Sequence, residues 1–197
     1  MAIQGEFVIR LFPFFSYCRE RFPLRVFAPV ACILVLSILF ASQGIRSIRG
    51  TDALGMFWVT LLFLLCLRIQ DDLLSIQEDR DKIPRRIVTT PGMDIYFKWV
   101  LMFLLFSLSL WIKWGVYLKF LGLFVFIEFW KTYWNRATHT HLLHWSVPLL
   151  KYPLVAFLGA EAFRPGLELS FPLLLTMITV WGLFIFYEVV HDKEKHV

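Results

Sequence analysis

Met56 to Leu67, "MFWVTLLFLLCL", runs directly into Arg68 to Arg86, "RIQDDLLSIQEDRDKIPRR". The first stretch carries no charge, whereas the second holds five acidic and five basic side chains. Charges at that density do not follow an apolar helix into hydrocarbon. The junction at Leu67–Arg68 therefore marks where a membrane helix leaves the bilayer, and residues 67–94 read as a charged helix-loop on one membrane face.

The rest of the chain agrees with a membrane setting. It is 58% hydrophobic, above the roughly 45–50% of soluble domains, and its mean hydropathy is +0.66. No linker, low-complexity tract or fixed-period repeat divides it, so residues 1–197 read as one all-α integral membrane domain. Residues 1–23 have no apolar core followed by a small-residue cleavage site. They read instead as an amphipathic lead-in on the membrane surface. Cys18, Cys32 and Cys66 read as small hydrophobes, with no disulfide or metal inferred.

A spanning helix needs about 20 largely apolar residues. Six segments approach that length: 24–43, 53–70, 95–112, 116–134, 145–162 and 170–190. The fifth is interrupted by Lys151 and two prolines. With the N-terminus inside, most Lys and Arg residues fall on the inner face, among them Arg19, Arg21, Arg25, Arg68, Arg86 and Lys131. Arg46, Arg49, Lys113, Lys119 and Arg164 remain outside. The positive-inside rule then predicts both termini cytoplasmic. The formal net charge of +5 points to anionic lipid rather than nucleic acid.

On a helix continuing out of the membrane, Asp72, Ser75 and Asp79 share one face, and Asp71 can swing toward them. Oxygen ligands so placed suit Mg²⁺, which combines a few carboxylates with water and substrate phosphates. Arg80, Lys82, Arg85 and Arg86 are placed to bind the same phosphates. The spacing is equally that of a solvated loop whose charge pairs contribute about 0–1 kcal/mol each. A surface carboxylate predicts that Asp72→Asn spares the fold.

The order of these residues resembles the first aspartate-rich motif, N/D-D-x-x-D-x-x-x-D, of the UbiA superfamily of intramembrane prenyltransferases. Asp71, Asp72 and Asp79 match it, Arg68 precedes it, and Pro84 and Arg86 follow. "RERFPLR" (Arg19–Arg25), Glu128 and "HWSVP" (His144–Pro148) are similar to further segments of a bacterial subgroup. The resemblance implies an all-α enzyme that transfers a prenyl group from a polyprenyl diphosphate to an acceptor. It implies Mg²⁺ held by Asp71, Asp72 and Asp79 together with a second motif, Glu188-x-x-x-Asp192, and diphosphate held by Arg68, Arg80, Lys82, Arg85 and Arg86. It also implies a bacterial inner membrane.

The sequence departs from the pattern at Ser75, where the family has Asp, and at Glu188. The family has about nine helices, so the expectation is a bundle of about six that lacks the last ones, completed by another subunit or a second copy. The alternative is a catalytically inactive UbiA-like accessory or isoprenoid-binding subunit. CDP-alcohol phosphotransferases also use aspartates and Mg²⁺, but their Asp-Gly, Ala-Arg and Gly positions have no match around Asp71. His139, His141 and His144 lack a further zinc ligand at matching spacing. A transporter reading rests on Glu128, Lys151 and Glu161 as intramembrane charges.

Overall fold

The computed structural model describes residues 2–41, 49–82, 86–134, 147–163, 167 and 170–195, without the side chains of 2–11, 78, 82, 133, 134 and 187–195. Most of these residues are helical, with no strand among them. The helices are α1 (Ala2–Arg21), α2 (Leu24–Ala41), α3 (Gly50–Leu74), α4 (Ile76–Lys82), α5 (Met93–Trp111), α6 (Trp114–Phe129), α7 (Lys151–Phe163) and α8 (Phe171–Lys195). A 3₁₀ turn, Ile87–Thr89, precedes α5, and a π-helical turn, Trp130–Trp134, extends α6.

Among the described residues three helices are long and apolar enough to cross a membrane: α2, α3 and α5. The apolar part of α8, Phe171–Phe186, is shorter. α6 and α7 are 16 and 13 residues long. Of the fifth expected segment, residues 147–149 are helical, Leu150 forms a turn and α7 runs from Lys151. Pro153 lies in its first turn, where a missing N–H is harmless because no carbonyl awaits it.

α3 is the axis of the bundle. It packs on α2, α5, α6 and α7, and its apolar side chains are buried along most of its length, from Met56 to Ile69. This explains why "MFWVTLLFLLCL" shows no helical stripe: a helix surrounded by neighbours is apolar all round. Phe63 of α3 stacks on Phe120 of α6 at 4.0 Å, and Tyr152 of α7 stacks on Phe184 of α8 at 4.1 Å.

α3 and α7 approach closely because Gly159 has no side chain. A Cβ there would lie 2.2 Å from the Thr60 hydroxyl oxygen and 3.6 Å from the Met56 carbonyl oxygen. Small residues at such crossings are what let membrane helices pack without a hydrophobic driving force. Gly159→Leu is expected to force the pair apart and cost about 1–3 kcal/mol. A thermal midpoint in detergent equal to the native one would refute this contact.

At the end of α3 the expected continuous helix is broken. Ser75 caps α3, its N–H donating to the Asp71 carbonyl, and α4 restarts at Ile76. Serine competes for backbone partners in this way, and its Oγ also donates to the Asp71 carbonyl at 3.0 Å. α1, α4 and α5 all pack against the 3₁₀ turn at this end. The chain re-enters the bundle through Gly92, whose φ of +80° favours glycine.

Candidate functional site

Asp71 and Asp72 are neighbours on the last turn of α3, and successive helical residues point about 100° apart. Asp72 faces α1. The fully buried Tyr17 donates its hydroxyl to Asp72 Oδ2 at 2.8 Å. Arg21, one turn later on the same face of α1, grips both carboxylate oxygens, Nε at 3.1 Å and Nη2 at 2.5 Å. Arg68 Nη2 lies 3.5 Å away from within α3. Pro23, two residues beyond Arg21, ends α1 and opens α2, which fixes where Arg21 emerges. Burial first, and then the charge of Asp72, push the Tyr17 hydroxyl well above the usual phenol range. Tyr17 is thus a donor to Asp72 at any working pH. Arg21 loses some basicity to burial, but its bonds to Asp72 outweigh that and raise its pKa.

Asp71 faces the other way. Lys131 Nζ donates to Oδ1 at 2.7 Å, and Lys151 Nζ donates to Oδ2. Lys131 sits in the π-helical turn after α6, where the extra residue re-aims a side chain, a device frequent at functional sites. Lys151 opens α7 and is buried. The third carboxylate, Asp79 on α4, pairs with Arg86 at 2.5 Å, and Ser75 Oγ lies 3.5 Å from it.

Several expectations change. Asp71 does not swing toward Asp72; packing of α6 and α7 turns it to the two lysines. Asp72 is no surface carboxylate but 3% exposed, so Asp72→Asn is not expected to spare the fold. Of the residues expected to hold diphosphate, Arg68 and Arg86 are in the cluster, and Arg80 is exposed on α4. Lys82's side chain, Arg85, the side chains of Glu188 and Asp192, and His139, His141 and His144 lie outside the described residues. Of the three charges of the transporter reading, Glu128 is exposed on α6, and Lys151 and Glu161 sit at opposite ends of α7. The last two are each paired, Glu161 with Lys119 at 2.5 Å.

Sequence reasoning missed Tyr17, Arg21, Lys131 and Lys151 as members of this site. Lys151 carried the clearest signal, because an ionisable residue inside an apolar segment needs a partner. Arg21 stood in "RERFPLR" beside two other arginines with nothing to single it out.

Among the described residues the cluster sets five cations, Arg21, Arg68, Arg86, Lys131 and Lys151, against three carboxylates, a surplus of two positive charges. The Nε of Arg68 is buried without a hydrogen-bond partner among the described residues. Such a surplus at low dielectric attracts an anion with several oxygens. The donor set suits Mg²⁺ less well: Asp71 and Asp72 diverge, each carboxylate is taken by cations, and no group of three metal-binding side chains forms among the described residues. In this arrangement the described residues do not fit that metal. No family model, curated protein or solved structure matches the chain.

Proposed function

We propose that the chain is a UbiA-like membrane prenyltransferase that binds a polyprenyl diphosphate at the cytoplasmic end of a six-helix bundle and transfers its prenyl group to an acceptor. The observation that carries this reading is the meeting of two segments on which the resemblance rests. Arg21 of "RERFPLR" and Arg68 of the aspartate motif converge on Asp72 from 51 and 4 residues away.

The chemistry follows from the charges. Cleavage of the carbon–oxygen bond of an allylic diphosphate sends the electron pair to the leaving diphosphate and leaves an allylic cation, which an acceptor nucleophile captures with loss of its proton. Arginines and lysines in a preorganised, partly buried cluster favour the step because negative charge grows on the oxygens they hold. The resemblance implies Mg²⁺ on Asp71, Asp72, Asp79, Glu188 and Asp192, but Asp71, Asp72 and Asp79 are held by cations, and this reading rests on those cations alone for the charge that anion binding needs.

Incubation of the detergent-solubilised protein with radiolabelled polyprenyl diphosphates, Mg²⁺ and membrane-extracted acceptors is expected to give a prenylated product. Saturable binding without turnover would favour the second reading, an inactive isoprenoid-binding subunit, for which Ser75 and the cation-paired carboxylates speak. Ser75→Asp separates the two further. In the enzyme it is expected to make turnover respond to Mg²⁺, because it adds a carboxylate that no cation in the cluster holds. In the inactive subunit it adds a charge four residues before Asp79 and lowers stability by about 0.2–0.5 kcal/mol, with turnover still absent.

A further inference from the structure

The charged cluster is closed. Tyr17 is fully buried, Asp72 and Lys151 are nearly so, and the Nε of Arg68 is shut off from solvent without a hydrogen-bond partner among the described residues. An anion reaches that guanidinium only if a covering element moves.

The packing says which element is free to do so. α7 is hemmed in by α2, α3, α6 and α8, whereas the main neighbour of α1 is the 3₁₀ turn Ile87–Thr89. Phe14, Tyr17, Cys18 and Arg21 lie at i, i+3, i+4 and i+7 and form the inward face of α1. Phe14 and Cys18 are half-buried against the core, Tyr17 packs on Phe97 of α5 at 4.6 Å, and Tyr17 and Arg21 both bond Asp72. Phe12, Phe15 and Arg19, on the other face, are exposed. α1 is thus held from one side only, and its polar hold is a single carboxylate.

A joint stands at the right place. α1 ends at Arg21 and α2 begins at Leu24, which leaves Phe22 and Pro23 between them. Pro23 has no N–H with which to continue a helix. Phe22 is buried and stacked on Phe27 of α2 at 4.0 Å, so the joint itself is anchored. A hinge needs no more than a few such element-terminal residues.

We propose that α1 is a lid over the cluster, pivoting at Phe22–Pro23: it swings off Asp72 to admit a polyanion to Arg68, and it returns with Arg21 closing on the bound anion. The inference rests on the diphosphate reading of the cluster. Asp72 is the latch. Tyr17 and Arg21 sit one turn apart on α1 and grip the same carboxylate, so one motion releases both. Parting a buried ion pair keeps the open state scarce. The anion shifts the balance because its oxygens satisfy guanidinium groups that the empty, open protein leaves without a partner.

The test ties the lid down. Tyr96 of α5 is within electrostatic reach of Cys18, and its side chain meets the α1 backbone at Phe14, one turn before Cys18. Tyr96→Cys therefore places a second thiol across the seam. A bifunctional methanethiosulfonate of about the length of the lost tyrosine joins it to Cys18, and dithiothreitol removes the link again. Binding and release of radiolabelled inorganic diphosphate are timed with the full-length protein in detergent. The linked variant is expected to bind at least tenfold more slowly than the same variant after reduction, while the native chain given the same reagents keeps its rate. Tyr17→Phe removes one bond of the latch and leaves Arg21 in place; it is expected to speed binding and release at least threefold each. Equal rates in the linked and reduced variant would overturn the lid. Should the link not form, native rates in Tyr17→Phe would overturn it instead. No diphosphate binding by the native protein would overturn the reading of the cluster, and the lid with it.

Discussion

Asp72→Ala is expected to destabilise the protein by about 3–5 kcal/mol, the cost of leaving buried charges without their partner. Among the described residues Asp72 is the only carboxylate within ion-pair distance of Arg21 and Arg68, and Tyr17 donates to it from a fully buried position. Alanine would leave two guanidinium groups facing each other and a buried phenol without its acceptor. A loss of that size is a large share of the roughly 5–15 kcal/mol that holds a domain together. Asp72→Asn keeps an acceptor for Tyr17 and should lose less. The check is the thermal midpoint of the purified variants, with Tyr17→Phe, which removes only the hydroxyl, expected to cost about 1–3 kcal/mol. A variant at Asp72 as stable as the native chain would mean that α1 does not dock on α3 through this carboxylate.

Asp71→Ala is expected to cost about 3 kcal/mol for the same reason, and the loss should be largely reversed by diphosphate. The substitution removes the counter-ion shared by Lys131 and Lys151, of which Lys151 is buried. A bound anion would take its place, so inorganic diphosphate should raise the midpoint of Asp71→Ala more than that of the native chain. Stabilisation by a ligand at about 100 times its dissociation constant is roughly 2.7 kcal/mol. If Asp71 instead served anion binding through a metal, the variant would respond less than the native chain. The sign of the difference therefore distinguishes direct cation binding from metal-bridged binding.

Much of the bundle is legible in the sequence, because apolar helices and their charged ends are separated by composition. The α3 boundary is an example: "MFWVTLLFLLCL" stops at the first arginine, and the charged side chains begin within the last two turns of the same helix. The break at Ser75 is not legible, since a serine in a helix can cap, bond back or simply face out, and only packing decides. The site is half legible. Asp72 was placed in it by its motif, yet its burial depended on α1 folding back from more than fifty residues away, which no local pattern reveals. Lys131 owes its position to a π-helical turn. Nothing in "FWKTYW" separates that turn from an ordinary helical one, because the extra residue is inserted where neighbouring helices require it.

The central claim, that the cations of the Asp71 cluster bind a prenyl diphosphate, is tested most directly by calorimetric titration of farnesyl diphosphate into the native protein and Lys151→Met. The substitution keeps the length and apolar stem of Lys151, and Lys131 still holds Asp71, so the fold should tolerate it. One charge-assisted contact is worth about 1.5–3 kcal/mol. Saturable binding by the native chain, weakened ten- to a hundredfold in Lys151→Met, is the result this structure predicts. Equal affinity of the two proteins, or no saturable binding by the native one, would contradict it.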